Sequence, residues 1–288
     1  MTTAFKALTP EKLNAYRSDG FLAPVRVFGA DDAARYRRQL EAFEQTIGMP
    51  LMKCPDRPTI FAKSHLLFRW VDEIVRHPAI LDAVEDVIGP NFRVFHNNVF
   101  VKEPHSPAFV SWHQDGSYNG IMPPEVLTTW VALSNSNATT GCVRILRGSH
   151  VAGLRAHVDR KSDHNILSRG QQIEGLATEQ AVDMALAPGE MSIHHTFAVH
   201  CSEPNESDQR RIGVMSTYVP THCRYVRPGR PRMRAALVRG VDEYGHFDDE
   251  PLPASDFGPT ERAAHRESCE RYIANVTSSE NKQLLNAG

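Results

Sequence analysis

The chain has 288 residues, 41% of them hydrophobic, with 32 Lys+Arg against 34 Asp+Glu and a formal net charge of −2. This balance, with a pI near 6.7, gives no global attraction for nucleic acid or an anionic membrane, and no apolar run approaches the length of a transmembrane helix. The five cysteines (Cys54, Cys142, Cys201, Cys223, Cys269) form no C-x-x-C pair and suit reduced thiols; the start of the chain lacks the basic and apolar regions of a signal peptide, so the expectation is a soluble cytoplasmic protein with no nucleic-acid or membrane partner.

Thr9-Pro10-Glu11 reads as an N-cap, a proline at the first helical position and an acidic first turn, opening a helix that stops at Gly20. A second helix begins near Asp31. Its Tyr36, Leu40, Phe43 and Ile47 keep a 3.6-residue period, and Gly48 ends it. Leu66–Arg76 and Pro78–Ile88 read as two further short helices. From Phe92 the pattern changes. FRVFHNNVFVK, VLTTWVALS from Val126, CVRIL from Cys142 and RRIGVMSTYV from Arg210 are rich in β-branched and aromatic residues. Turn-formers such as Glu103-Pro104, Pro123-Pro124 and Glu203-Pro204-Asn205 separate them. Many short strands after a helical start predict a mainly β sandwich or barrel with peripheral helices. With no internal repeat or linker, a single domain over 1–288 is the simplest reading: a mostly helical part over 1–90, a β core over 91–220 and a C-terminal extension over 221–288. Residues 151–180 form a polar insertion after a strand, either a lid or a plain surface loop. The tail after Pro259 reads as a helix packed peripherally or on a neighbouring subunit, which leaves an oligomer open.

Trp112-His113-Gln114-Asp115 sits where a strand meets the Gly116-Ser117 turn. On a strand, residues i and i+2 face the same side, so His113 and Asp115 could grip one metal, with His200 as third ligand from a different strand. Two imidazoles and one carboxylate are the ligand set of a mononuclear non-haem Fe(II) centre, with open positions for a cosubstrate and O2. Arg211 adds a permanent charge able to bind the far end of a dicarboxylate bidentately. An isolated H-x-D recurs by chance, as a surface histidine beside a capping aspartate. The distal block HHTFAVHCSEPNESDQRRIGV sets this one apart. A hairpin through its Pro204-Asn205 turn would lay the His200 and Arg211 strands side by side. His194 shares strand parity with His200 if the segment is regular, and so competes with it as a ligand; His195 reads as a packing residue.

These residues stand in a longer pattern: WHQD at Trp112–Asp115, TTWVALSNSNATTGCVRILRGSH at Thr128–His150, PGEMSIHH at Pro188–His195 and H-x-S-x-P-N-x-S-x-x-x-R at His200–Arg211, after LTPEKLNAYRSDGFL at Leu8–Leu22. In this order they resemble the phytanoyl-CoA dioxygenase family of Fe(II)/2-oxoglutarate oxygenases over most of residues 8–220. The resemblance implies a double-stranded β-helix (jelly-roll, cupin-like) core holding Fe(II) through His113, Asp115 and His200. It also implies that 2-oxoglutarate chelates the iron and pairs its C5 carboxylate with Arg211. Ser202 and Trp130 match positions that line the cosubstrate in such enzymes, and Asn98 is a further candidate contact on the strand that reaches Lys102. The implied reaction consumes O2, releases succinate and CO2 and hydroxylates a small organic substrate. Two departures stand out: Thr140-Gly141 where the family often has Asn-Gly, and the doublet His194-His195 where many members have one histidine. Halogenating relatives replace the carboxylate with Ala or Gly; Asp115 therefore favours hydroxylation.

Substrate signals are thinner. Tyr118 and Asn119 follow the metal motif closely, and Lys63, His65, Phe68 and Trp70 lie in a segment that could fold over the mouth. Lys63 and His65 together would suit an anionic substrate, and a small amine, phosphonate or amino-acid-like compound are the open choices. Cys223–Gly240 carries six arginines but is followed by an acidic run, and reads as a solvated loop with internal ion pairs. Two other classes share the ligand set. One is a catalytically silent metal-binding sensor on the same scaffold, which has no need to keep all four residues. The other is a zinc hydrolase, since the same three ligands hold Zn2+, but it leaves Arg211 without a role. Consumption of 2-oxoglutarate separates the three.

Overall fold

The computed structural model describes residues 5–53, 60, 62–167, 169–226 and 231–276; Cys54, Arg227 and Arg230 lie outside the described residues. In chain order the elements of the first third are α1 (Pro10–Asp19), β1 (Phe21–Arg26), α2 (Ala30–Ile47), α3 (Arg69–Val75) and α4 (Pro78–Ile88). Then come β2 (Phe92–Lys102), β3 (Val110–His113), a one-turn helix α5 (Gly116–Asn119), β4 (Ile121–Met122), β5 (Leu127–Ala132) and β6 (Val143–Ile145). The insertion carries β7 (Val158–Asp159) and β8 (Gln171–Gln172), and β9 (Val182–Asp183) follows it. The chain continues with β10 (Glu190–His195), β11 (His200–Ser202), β12 (Arg211–Pro220), β13 (Arg224–Tyr225), β14 (Arg234–Arg239), β15 (Asp248–Asp249) and α6 (Pro259–Val276).

A seven-stranded sheet of order β1-β10-β5-β12-β2-β14-β15 faces a four-stranded sheet of order β3-β11-β6-β9, the two walls of a jelly-roll. Side chains alternate across each strand, and this divides the large sheet into two faces. Ile212 and Val214 of β12, Val131 of β5, Ile193 of β10 and Val99 and Val101 of β2 join the core shared with the N-terminal helices, where Trp70, Val71, Ile74 and Ile80 pack. Trp130, Ala132 and Met215 point the other way, onto Val143 and Ile145 of the small sheet. Arg211, Gly213 and Thr217 share Met215's face, as do their register partners Lys102, Phe100 and His96 on β2. The space between the sheets is therefore lined by polar rows, Arg211 with Lys102 and Thr217 with His96 and Thr128, separated by the apolar Gly213, Phe100, Ala132, Met215 and Trp130.

Several local expectations are corrected. Phe21–Arg26 is a strand that its proline conceals; Pro24 is tolerated because β1 lies at the edge of the sheet, and the register shifts between Leu22 and Val25. The helix expected over Leu66–Arg76 begins only at Arg69, because Phe68 is extended (φ −130°, ψ 123°). His200 and Arg211 do not form a hairpin: β11 belongs to the small sheet and β12 to the large one. The connection crosses between sheets, tied down by Asn205, whose Nδ2 donates to the carbonyls of Lys102, Glu103 and Gln209. No described helix is long and apolar enough to cross a membrane.

Candidate metal centre and anion pocket

β3 and β11 pair antiparallel with His113 directly opposite His200, and their rings lie 4.2 Å apart, centroid to centroid. Asp115 is not on the strand with His113, as the period-2 reading supposed. β3 ends at His113, and Asp115 is already helical (φ −59°, ψ −34°). The tight corner that follows requires Gly116, where a Cβ would overlap the Phe197 ring. Asp115 Oδ1 comes to 3.4 Å from His113 Nε2 and 3.7 Å from His200 Nε2. All three side chains are buried, and their donor atoms lie within 4.8 Å of one another. His113 Nδ1 faces the carbonyls of Ser111 and His200 at 2.9 and 3.1 Å, and His200 Nδ1 faces the Ala198 carbonyl at 2.9 Å. Each Nδ1 must therefore carry the proton, which leaves both Nε2 lone pairs free for one ion.

Asp115 is a hub. Thr128 Oγ1 donates to its Oδ2 at 2.8 Å, His194 Nε2 stands 3.4 Å from the same oxygen, and the Tyr118 hydroxyl donates to Oδ1. Burial pushes the carboxyl up, but the imidazoles around it, His200 first, outweigh that effect and hold it well below the usual carboxylate range. Burial likewise keeps His200 well below the usual histidine range. An ionised Asp115 beside two imidazoles whose Nε2 lone pairs are free is the state a divalent cation requires. His194 lies on β10 in the large sheet, beside the three-residue cluster but not one of its members. His195 packs elsewhere, with its Nδ1 accepting from Phe197 N and its ring against His150.

Arg211 is 3% exposed. One Nη donates to the Gly141 carbonyl, its Nε has no partner among the described residues, and its guanidinium lies 4.6 Å from the centre of the Trp130 ring. Trp130 can lean there because Gly213 offers no Cβ to block its indole. Across the register from Arg211 is Lys102, also buried, whose Nζ donates to Ser202 Oγ at 2.7 Å and to the carbonyl of Glu203. Sequence reasoning missed Lys102 as a site residue; a lysine ending a strand reads as a surface group. Neither cation makes an ion pair among the described residues. Burial, then the charge of Arg211, brings Lys102 down to about 6, and burial brings Arg211 down to about 10. A buried guanidinium without a counter-charge, beside a lysine that burial keeps from charging, makes a pocket that an anion would complete. Arg211, Ser202 and Trp130 thus meet, joined by Lys102. Asn98 faces the same interior, half-buried and level with Met215 and Trp130, but it is two register positions short of Phe100 and four short of Lys102.

The insertion over 151–180 is bonded to the metal strand. The Ile173 N–H donates to the Trp112 carbonyl at 2.8 Å and that of Ile166 to Phe109 at 2.9 Å. Gln114 ties Gly153 and Arg155 to the metal motif. It covers the open edge of β3. The residues expected over the mouth behave otherwise. Phe68 and Trp70 belong to the outer core, beside Tyr36 and Phe43. Lys63 is fully buried and committed to Glu250 at 2.6 Å, with His65 on the other carboxylate oxygen at 3.2 Å, so neither is free to meet an anionic ligand. Tyr118 does reach the centre, while Asn119 is buried with an unpartnered Nδ2. The arginine-rich segment is not a solvated loop: Arg234–Arg239 is β14 of the large sheet, with Ala235 and Ala236 buried. Its arginines do form ion pairs, Arg232 with Asp248 in the acidic run that follows, but Arg234 with Glu267 and Arg239 with Asp82 farther along the chain. The final helix is not merely peripheral: Tyr272 of α6 stacks flat on His96 at 4.1 Å, and His96 shares the inner face with Thr217 and Thr128.

The family model for phytanoyl-CoA dioxygenase (PhyH) matches residues 16–213. The chain belongs to the phytanoyl-CoA dioxygenase family. A probable alpha-ketoglutarate-dependent hypophosphite dioxygenase of Stutzerimonas stutzeri is 30% identical over 156 residues, covering 54% of this chain and 54% of that protein; the match thus spans about half of that relative. Human peroxisomal phytanoyl-CoA dioxygenase is 24% identical over 238 residues, 76% of this chain and 70% of its own. Among solved structures, the non-heme monooxygenase ThoJ in its apo form superposes with a TM-score of 0.80 at 30% identity, over 92% of this chain and 96% of its own. This phytanoyl-CoA dioxygenase family member therefore shares the jelly-roll along nearly its whole length with that oxygenase. The family match stops at Gly213, short of the helix that supplies Tyr272.

Proposed function

We propose that the chain is an Fe(II)- and 2-oxoglutarate-dependent dioxygenase that hydroxylates a small organic molecule. His113, Asp115 and His200 hold the iron, and Arg211, Lys102, Ser202 and Trp130 hold the cosubstrate. The observation that carries this reading is the pair of buried basic side chains, Arg211 and Lys102, with no ion-pair partner among the described residues. A dicarboxylate spanning from that pocket to the cluster at Asp115 supplies the missing charge. A zinc hydrolase would leave both cations unexplained.

The donor set fits a divalent iron. Two imidazole nitrogens and one carboxylate oxygen lie within 4.8 Å of one another, which suits a non-haem Fe(II) site with open positions. When bound, iron with 2-oxoglutarate and O2 supplies the oxidising chemistry, with succinate and CO2 as co-products. The chain's own residues position and exclude. Backbone carbonyls fix the two imidazoles, and Thr128 and Tyr118 orient Asp115. Trp130 walls the cosubstrate's methylenes, and Arg211 grips the distal carboxylate by charge-assisted hydrogen bonds. Asn98 faces the cavity between the two ends, where it can meet substrate or cosubstrate. The Asp115 carboxylate fills the position that a halide would need, so hydroxylation is favoured over halogenation. Since Lys63 and His65 are engaged with Glu250, they no longer argue for an anionic substrate.

Purified protein supplied with Fe(II), 2-oxoglutarate and O2 should form succinate, slowly without substrate and faster with it, and Asp115→Ala should form none. Full turnover in Asp115→Ala would remove the carboxylate from the ligand set. Iron bound with no succinate under any condition would favour the silent sensor.

A further inference from the structure

His194 is a third buried imidazole at the centre, and its hydrogen-bond environment is the reverse of the other two. The rings of His113 and His200 each place Nδ1 against a backbone carbonyl, which reserves Nε2 for a metal. His194 Nδ1 has no hydrogen-bond partner among the described residues. Its Nε2 instead stands 3.4 Å from Asp115 Oδ2, the oxygen that Thr128 already binds at 2.8 Å. An imidazole beside an anionic oxygen, with nothing on its other nitrogen, places its proton between the two. The ring is 4.5 Å from that of His200 and is held by β10, whose His194 pairs with Thr128 on β5 and Phe21 on β1. Oδ2 is thus clamped from the large sheet while Oδ1 faces the Nε2 atoms of His113 and His200.

We propose that His194 is a positioning residue that, with Thr128, holds Asp115 to one-oxygen ligation and keeps Oδ2 off the metal. A carboxylate bound through both oxygens would occupy a further coordination position, one of those needed for cosubstrate and O2. The inference rests on the iron-centre reading above.

The test measures anaerobic Fe(II) affinity by competition with a chromogenic chelator, and records the visible band of the Fe(II)–2-oxoglutarate complex. The proteins are wild type, His194→Phe and His194→Gln; His194→Asn, too short to reach Oδ2, replaces the Phe variant if that one lacks a wild-type circular dichroism spectrum and melt. Loss of an outer hydrogen bond to a metal ligand typically costs about 10–100-fold in affinity. His194→Phe should show that loss with a shifted band, and His194→Gln, whose amide can reach Oδ2, should restore both. Wild-type affinity and band in the Phe or Asn variant would overturn the proposal. Complete loss of binding in both the Phe and Gln variants, as in His200→Ala, would also overturn it by making His194 a ligand. A wild-type protein that binds no iron fails the iron-centre reading itself, and the proposal with it.

Discussion

Binding of 2-oxoglutarate should take up a proton, and Lys102→Met should abolish that uptake. With the pocket empty, burial first and the Arg211 charge second bring Lys102 down to about 6. At about pH 7.5 only about 3% of it is charged, and charging it costs about 2 kcal/mol at 1.36 kcal/mol per pH unit. A carboxylate arriving between the two side chains offsets the Arg211 repulsion and accepts a charge-assisted hydrogen bond of about 1.5–3 kcal/mol, so the ammonium form wins in the complex. The pKa is depressed in the free state and raised in the bound one. Uptake therefore approaches one proton above about pH 6 and fades below it, where Lys102 is already charged. Affinity should accordingly fall as the pH rises above about 6, by up to tenfold per unit. Anaerobic titration calorimetry in buffers of different ionisation enthalpy counts the proton directly. Lys102→Met keeps the volume and Arg211, and should weaken binding by roughly 10–150-fold below about pH 6, less as the pH rises and Lys102 must first be charged, with no buffer-dependent heat. Wild-type protein without proton uptake, or the same uptake in Lys102→Met, would refute the assignment.

Arg211→Met should raise the 2-oxoglutarate KM for succinate formation by at least about 30-fold, because truncating one member of a buried charge pair costs about 2–5 kcal/mol; an unchanged KM would place the distal carboxylate elsewhere. Gly213→Ala puts a Cβ into the Trp130 indole. It should raise the same KM and cost about 1–3 kcal/mol of stability, read by denaturant unfolding, and a neutral result would show that Trp130 need not lie where it does. Lys63→Met strands the fully buried Glu250 carboxylate with only His65 and should destabilise the fold by about 3–5 kcal/mol. The folded fraction should keep wild-type 2-oxoglutarate affinity, and a specific loss of that affinity would make the cluster part of the site.

The site was legible wherever its chemistry is carried by residue type. His113, Asp115, His200 and Arg211 stand out because the metal and dicarboxylate proposed here would demand those groups, and the helix ends at Gly20 and Gly48 because a left-handed cap favours glycine. What escaped depends on pairing between distant segments. Lys102 looks like a surface lysine until its register partner proves to be Arg211. Lys63 looks available until Glu250, 187 residues away, takes it. The His200 and Arg211 strands look like a hairpin because nothing local shows that the turn between them changes sheets. His194 and His200 share parity on paper, yet the chain breaks between β10 and β11 and sends them to opposite walls. The last helix offers few apolar residues, so its inward face, with Cys269 and Tyr272 buried, could not be told from a peripheral one.

The most direct test is anaerobic addition of Fe(II) and 2-oxoglutarate, watching for the weak visible charge-transfer band of the chelate. A band that requires both components and is lost in His200→Ala is the expected result. Stoichiometric iron binding with no band, or a band that survives in His200→Ala, would contradict the centre proposed here.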